Sequence, residues 1–118
     1  MPQRSVQARL DDMITAIDGI RMTLENVEFE TYVSAWHLQR ATERGLEIIS
    51  EASRSIPAEL KALRPDIPWQ QIAAIGNQLR HAYERIDPLI IWNIVEQNLE
   101  TALRLLADHL GDQRGTIS

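Results

Sequence analysis

Cysteine is absent from the 118 residues. That excludes disulfides, thiolate metal sites and cysteine nucleophiles together, and it makes a reducing cytoplasm the expected location. Glycine and proline number five each, too few for a collagen-like, linker-like or turn-dense all-β chain. No apolar run approaches the roughly 18–20 residues that cross a bilayer, so no membrane association is expected. The opening MPQRSVQARLDDM lacks the apolar stretch of a signal peptide. Positive charge is also scarce. The formal net charge is -5, and the totals hold no basic footprint of a protein that grips long nucleic acid by phosphate neutralisation. A local basic cleft is compatible with that balance.

What is present reads as helix throughout. Hydrophobic residues make up 44% and charged residues 25%, ordinary globular usage, and the length predicts one helical domain over residues 1–118. Residues 5–25 place Val6, Leu10, Met13, Ile14, Ile17, Ile20 and Leu24 on one amphipathic stripe, with Ser5 as the cap and Asn26 near the end. Residues 28–53 give a second, wider apolar face that includes Phe29, Tyr32, Val33, Trp36, Leu46, Ile48, Ile49 and Ala52. Gly45 lies inside it, where close helix packing is the simplest reason for a residue that costs helix stability. Residues 57–63 form a short helix between Pro57 and Pro65. A third long helix starts at Pro68, capped from Asp66 or Ile67, and finishes near Arg85. Asp87-Pro88 opens a fourth, with the cap and the N1 proline in sequence. It carries Leu89, Trp92, Val95, Leu99, Leu103, Leu106 and Leu110 to a stop at Gly111, before a frayed tail. Four long amphipathic helices with short connections predict an all-α antiparallel four-helix bundle with a short extra helix.

The chemistry-bearing residues are few. His37, His81 and His109 fall on three different helices, and no HxxxH or HExxH spacing joins them, so no metal site is expected. There is no phosphate-binding glycine loop and no GxSxG. In 66-DIPWQQIAAIGNQLRHAYERID-87, Asn77 and His81 are four apart and share a helix face. An amide and an imidazole so placed can contact a phosphate or orient a water, and histidine suits proton transfer near neutrality. Arg80 is adjacent, with a side chain long enough to reach the same place. The same spacing also fits a plain solvated helix face. Trp36, Trp69 and Trp92 read as core or dimer contacts; Arg40, Arg44 and Arg54 are candidates to add positive potential to an RNA groove, with solvated positions on the helix surface as the simpler reading. Glu51 is a candidate to orient Arg80.

The segment resembles the signature region of HepT-like toxins, a branch of the HEPN domain superfamily. The specific part is Ile67-Pro68-Trp69, Ile72-Ala73, Asn77, His81 and Tyr83; the first helix and Ser50-Glu51-Ala52 extend the likeness over nearly the whole chain. The resemblance implies a HEPN-like helical homodimer whose two signature segments face one cleft. It implies a metal-independent endoribonuclease acting on RNA without a cofactor, in which His81 serves as acid or base, the family's arginine stabilises phosphorane charge and Asn77 holds geometry. It also implies a type VII toxin–antitoxin pairing, with a cognate minimal nucleotidyltransferase antitoxin that transfers AMP to Tyr83. The added phosphoryl charge would repel RNA.

One position departs from the family pattern. Gly76 stands five residues before His81, where the family places arginine. Either Arg80 supplies the missing cation, or cleavage is lost and the domain is a non-catalytic HEPN-like interaction module for a nucleotidyltransferase partner. A plain structural dimer is the third reading. For Tyr83 the requirement is a helix end nearby, since on a continuous helix it lies nearly opposite His81.

Overall fold

Ser5 starts the fold. In the computed structural model, which describes the backbone of residues 5–97 and 99–117 and side chains as far as residue 111, its Oγ accepts the Ala8 amide at 3.1 Å and caps α1 (Val6–Thr23). Leu10, Met13, Ile14, Ile17 and Ile20 of the expected stripe are buried. Asn26 takes a φ of 61° just past the helix end, a left-handed turn position that asparagine tolerates.

The second apolar stretch is two helices rather than one: α2 (Phe29–Ser34) and α3 (Trp36–Ser53). Ala35 breaks it with φ -110° and ψ 97°. The broken backbone is compensated from the side: Gln39 Nε2 donates to the carbonyls of Tyr32 at 2.9 Å and Val33 at 2.7 Å. Apolar spacing carries no trace of such a bond. The break also rotates the inward face. Val33, Trp36 and Ile48, expected inside, are exposed, while Thr42, Glu43, Ser50 and Ser53 are buried beside Leu46 and Ile49. Thr42 Oγ1 and Ser53 Oγ offset part of that cost by donating to the Leu38 and Ser50 carbonyls.

Next come α4 (Ala58–Leu63), α5 (Trp69–Ala82), a 3-10 turn (Tyr83–Arg85), α6 (Pro88–Glu96) and α7 (Leu99–Ile117). Pro57 and Pro68 occupy the N-cap positions of α4 and α5 rather than N1. Asp66, expected near the α5 cap, instead pairs with Arg64 at 2.6 Å. Asp87 caps α6 by accepting the Leu89 amide at 2.9 Å, with Pro88 at N1. Gln97, at ψ 151°, separates α6 from α7 where one helix was expected. Nor does α7 stop at Gly111: no glycine among the described residues adopts the positive φ of a helix-ending turn, and the helix runs on to Ile117. Met1–Arg4 and the final residue of the tail lie outside the described residues.

The all-α class holds: every regular element among the described residues is helical. Two internal breaks turn four long segments into more numerous shorter ones. Helix α1 packs on α3 and α7, and α3 packs on α5. Gly45 marks the first contact, since a Cβ there would sit 2.6 Å from Ile20 Cγ1. The core runs from Leu10 through Leu46, Ile72 and Ile91 to Leu103 and Leu106. Each such side chain contributes about 1.5–3 kcal/mol on burial. Phe29, Tyr32 and Trp92 close one region of it, with Trp92 centred 5.5 Å from Phe29 and 5.3 Å from Tyr32.

Candidate functional site

Helix α5 buries Ile72, Ile75, Gly76 and Leu79. That spacing fixes the opposite face, so Gln70, Gln71, Ala74, Asn77, Gln78 and His81 are exposed. Asn77 and His81 therefore lie one turn apart and open to solvent, and neither side chain has a hydrogen-bond partner among the described residues. The exposed stripe carries no formal charge. Arg80 is the one permanently ionised residue of the helix.

Arg80 leans the other way. Its Nη1 lies 3.4 Å from Glu51 Oε2 of α3, and it lines a cavity of about 340 Å³ with Arg9, Asp12, Arg44, Glu47 and Glu51. The structure thus brings Asn77 and His81 together and holds Arg80 against α3. The hold is slight, because an exposed pair of this length contributes at most about 1 kcal/mol.

Gly76, the position of the departure, points into the fold. A Cβ built on it would overlap Oγ and Cβ of Ser50 on α3. A larger side chain cannot enter this crossing without separating the two helices. In this chain, residue 76 is a packing position rather than part of the solvent-facing stripe.

Tyr83 meets its requirement because α5 ends at Ala82, where φ is -156° and ψ 49°. The following 3-10 turn carries the Tyr83 ring across to α3. There the Arg40 guanidinium sits 4.5 Å from its centroid, and the ring remains 45% exposed.

Arg40 and Tyr32 do more than the solvated and apolar positions expected of them, and Glu43, for which nothing was expected, joins them. Arg40 touches Trp36 as well as Tyr83, at 5.7 Å from the indole centroid. Glu43, 7% exposed, anchors Arg40 through a 2.9 Å ion pair. Burial pushes the Glu43 carboxyl above the usual carboxylate range, with Arg40 pulling it back down. Nearby Tyr32 is fully buried, and its hydroxyl has no hydrogen-bond partner among the described residues. Burial raises this phenol to about 12, Glu43 adding to the rise and Arg40 opposing it. A sequence signal for Glu43 existed: three residues before Leu46, it falls on the inward register of α3.

Among the described residues, no group of three or more histidine or acidic side chains is placed to hold a metal ion. No described helix is long and apolar enough to cross a membrane.

Residues 13–108 match the family model described as ribonuclease HepT-like. The chain is 36% identical over 97 residues to a protein of Thermococcus cleftensis named "Probable ribonuclease HepT", covering 82% of this chain and 88% of the relative. Two further relatives carry the name "Putative RNase". One, from Methanocaldococcus jannaschii, is 30% identical over 99 residues, with 84% and 82% of the two chains covered. The other, from Caldanaerobacter subterraneus subsp. tengcongensis, is 35% identical over 86 residues, covering 73% and 77%. No solved structure matches the chain.

Proposed function

The chain belongs to the HepT-like ribonuclease family, and on that premise we propose that it is the toxin of a type VII toxin–antitoxin pair, an RNA endonuclease that needs neither metal nor cofactor and acts in the cytoplasm as a single HEPN-like domain. The observation that carries the reading is the Asn77–His81 pair, exposed, one turn apart and without a hydrogen-bond partner among the described residues. In the proposed reaction an RNA 2′-hydroxyl attacks its own 3′-phosphate. The 2′-O–P bond forms, the P–O5′ bond breaks, and a cyclic phosphate and a free 5′-hydroxyl result. His81 takes the proton from the attacking hydroxyl or returns one to the leaving oxygen. Asn77 donates its amide to a phosphate oxygen. Arg80 leaves Glu51 for the growing negative charge on phosphorus, a role commonly worth about 10²–10³ in rate.

The active form in this reading is a homodimer with one His81 from each protomer in a shared cleft. The uncharged stripe of α5 supports it, since charged residues are depleted at the cores of interfaces. The nucleotidyltransferase antitoxin would modify Tyr83, whose exposure after the end of α5 leaves it accessible.

A second reading has its own support. Residue 76 is a glycine packed against Ser50, and a site without an arginine at that place fits a non-catalytic module that only binds the nucleotidyltransferase. The separating experiment is cleavage of RNA by the purified protein in chelator, beside His81→Ala. Cleavage to cyclic-phosphate ends that disappears in the variant supports the nuclease. An inert parent protein that still binds the nucleotidyltransferase supports the module.

A further inference from the structure

The three tryptophans have different surroundings. Trp92 belongs to the Phe29–Tyr32 ring cluster. Trp69 is half-buried, with its indole N–H donating to the Arg64 carbonyl at 3.1 Å. Trp36, the first residue of α3, is 69% exposed. Large apolar groups left in water are the informative ones, and this ring is not left loose. The Arg40 guanidinium contacts it at 5.7 Å and the Tyr83 ring at 4.5 Å, both within cation–π range. Arg40 is fixed in turn by the buried Glu43. One anchored guanidinium thus links two exposed rings into a strip from the start of α3 to the end of α5.

Along the chain the strip ends two residues from the proposed cleavage site. Tyr83 follows His81 by two residues, so their Cα atoms are within about 7 Å. A strand whose phosphate lies at His81 comes within reach of Tyr83 where it crosses the end of α5 toward α3. We propose that Trp36, Arg40 and Tyr83 form a stacking platform for an unpaired base of the RNA substrate beside the scissile phosphate. This rests on the ribonuclease reading above and extends it to how the strand is held. Every base has a π-face, so such a platform accepts single-stranded RNA with little sequence preference. The planar guanidinium adds positive charge close to the strand's backbone. Glu43 is a positioning residue here, acting only through Arg40.

The test is binding of a short single-stranded RNA whose 2′-hydroxyls are methylated, so that it cannot be cleaved, followed by tryptophan fluorescence. An abasic strand of the same length is the control. The wild-type chain is expected to bind the RNA with quenching. Trp36→Ala is expected to weaken binding about 5- to 100-fold and to abolish most of the quench, while Trp36→Phe keeps most of the affinity. Both proteins should bind the abasic strand equally. Unchanged RNA binding in Trp36→Ala overturns the platform. So does a variant that turns a dimer into a monomer, or one that loses only the nucleotidyltransferase, since the ring then faces protein. A platform that binds RNA in a protein unable to cleave unmodified RNA would leave this inference standing and remove the nuclease. Normal cleavage by Trp36→Ala with unaltered affinity would do the reverse.

Discussion

Gly76 of α5 rests directly on Ser50 of α3, leaving no room for a Cβ between them. The contact joins the helix that carries Asn77 and His81 to the rest of the core. The crossing is too close for any side chain at 76. Gly76→Ala is therefore expected to destabilise the fold by about 1–3 kcal/mol, as overpacking does. Ser50→Gly deletes the obstructing atoms, so in that background the same change should cost much less, a coupling that chemical denaturation of the four proteins measures. Gly76→Arg should lower the melting temperature further and raise no activity.

His81 is exposed and has no hydrogen-bond partner among the described residues. His81→Ala should leave stability within about 0.5 kcal/mol while lowering cleavage by about 10²–10⁴. Thermal melts and single-turnover cleavage report the two quantities separately. A variant that keeps parental cleavage would remove His81 from the chemistry.

Arg80 and Glu51 supply a test of the replacement cation. Arg80→Ala should reduce cleavage about 10²–10³. Glu51→Gln frees the guanidinium and should preserve or increase the rate, with little effect on stability because the pair is exposed. A fall in rate in Glu51→Gln comparable to that of Arg80→Ala would show that the pair itself is the functional unit.

Glu43 predicts a pH dependence. Burial holds its carboxyl above the usual range in the folded chain. Between the ordinary glutamate value, about 4.3, and that raised value, the folded state binds more protons than the unfolded one. Stability contributed by this group is therefore complete below the ordinary value and declines as pH climbs through the raised one. Relative to Glu43→Gln, the wild-type melting temperature should fall across that window. A difference that grows with pH would mean that the ion pair with Arg40 outweighs burial.

Tyr32 is the simplest stability test. Its hydroxyl is buried without a partner among the described residues, a desolvation cost with no compensating bond. Tyr32→Phe should stabilise the chain by about 1 kcal/mol, read as a rise of a few degrees in melting temperature.

Local chemistry wrote several features openly into the chain. Ser5 and Asp87-Pro88 announced helix starts, the stripe from Leu10 to Ile20 announced the buried face of α1, and Gly45 announced a close crossing. Asn77 and His81 share an exposed face because residues four apart on a helix must do so, and α5 is continuous between them. These follow from backbone geometry within a few residues, so the sequence alone determined them. Tertiary packing decided the rest. Gln39 compensates the break at Ala35, and that break turns Trp36 outward and Glu43 inward. Ser50 on another helix makes residue 76 a contact. The bend at Ala82 sends Tyr83 to Arg40 rather than to the far side of α5. Each outcome depends on an atom distant along the chain or on a backbone turn that apolar spacing does not encode.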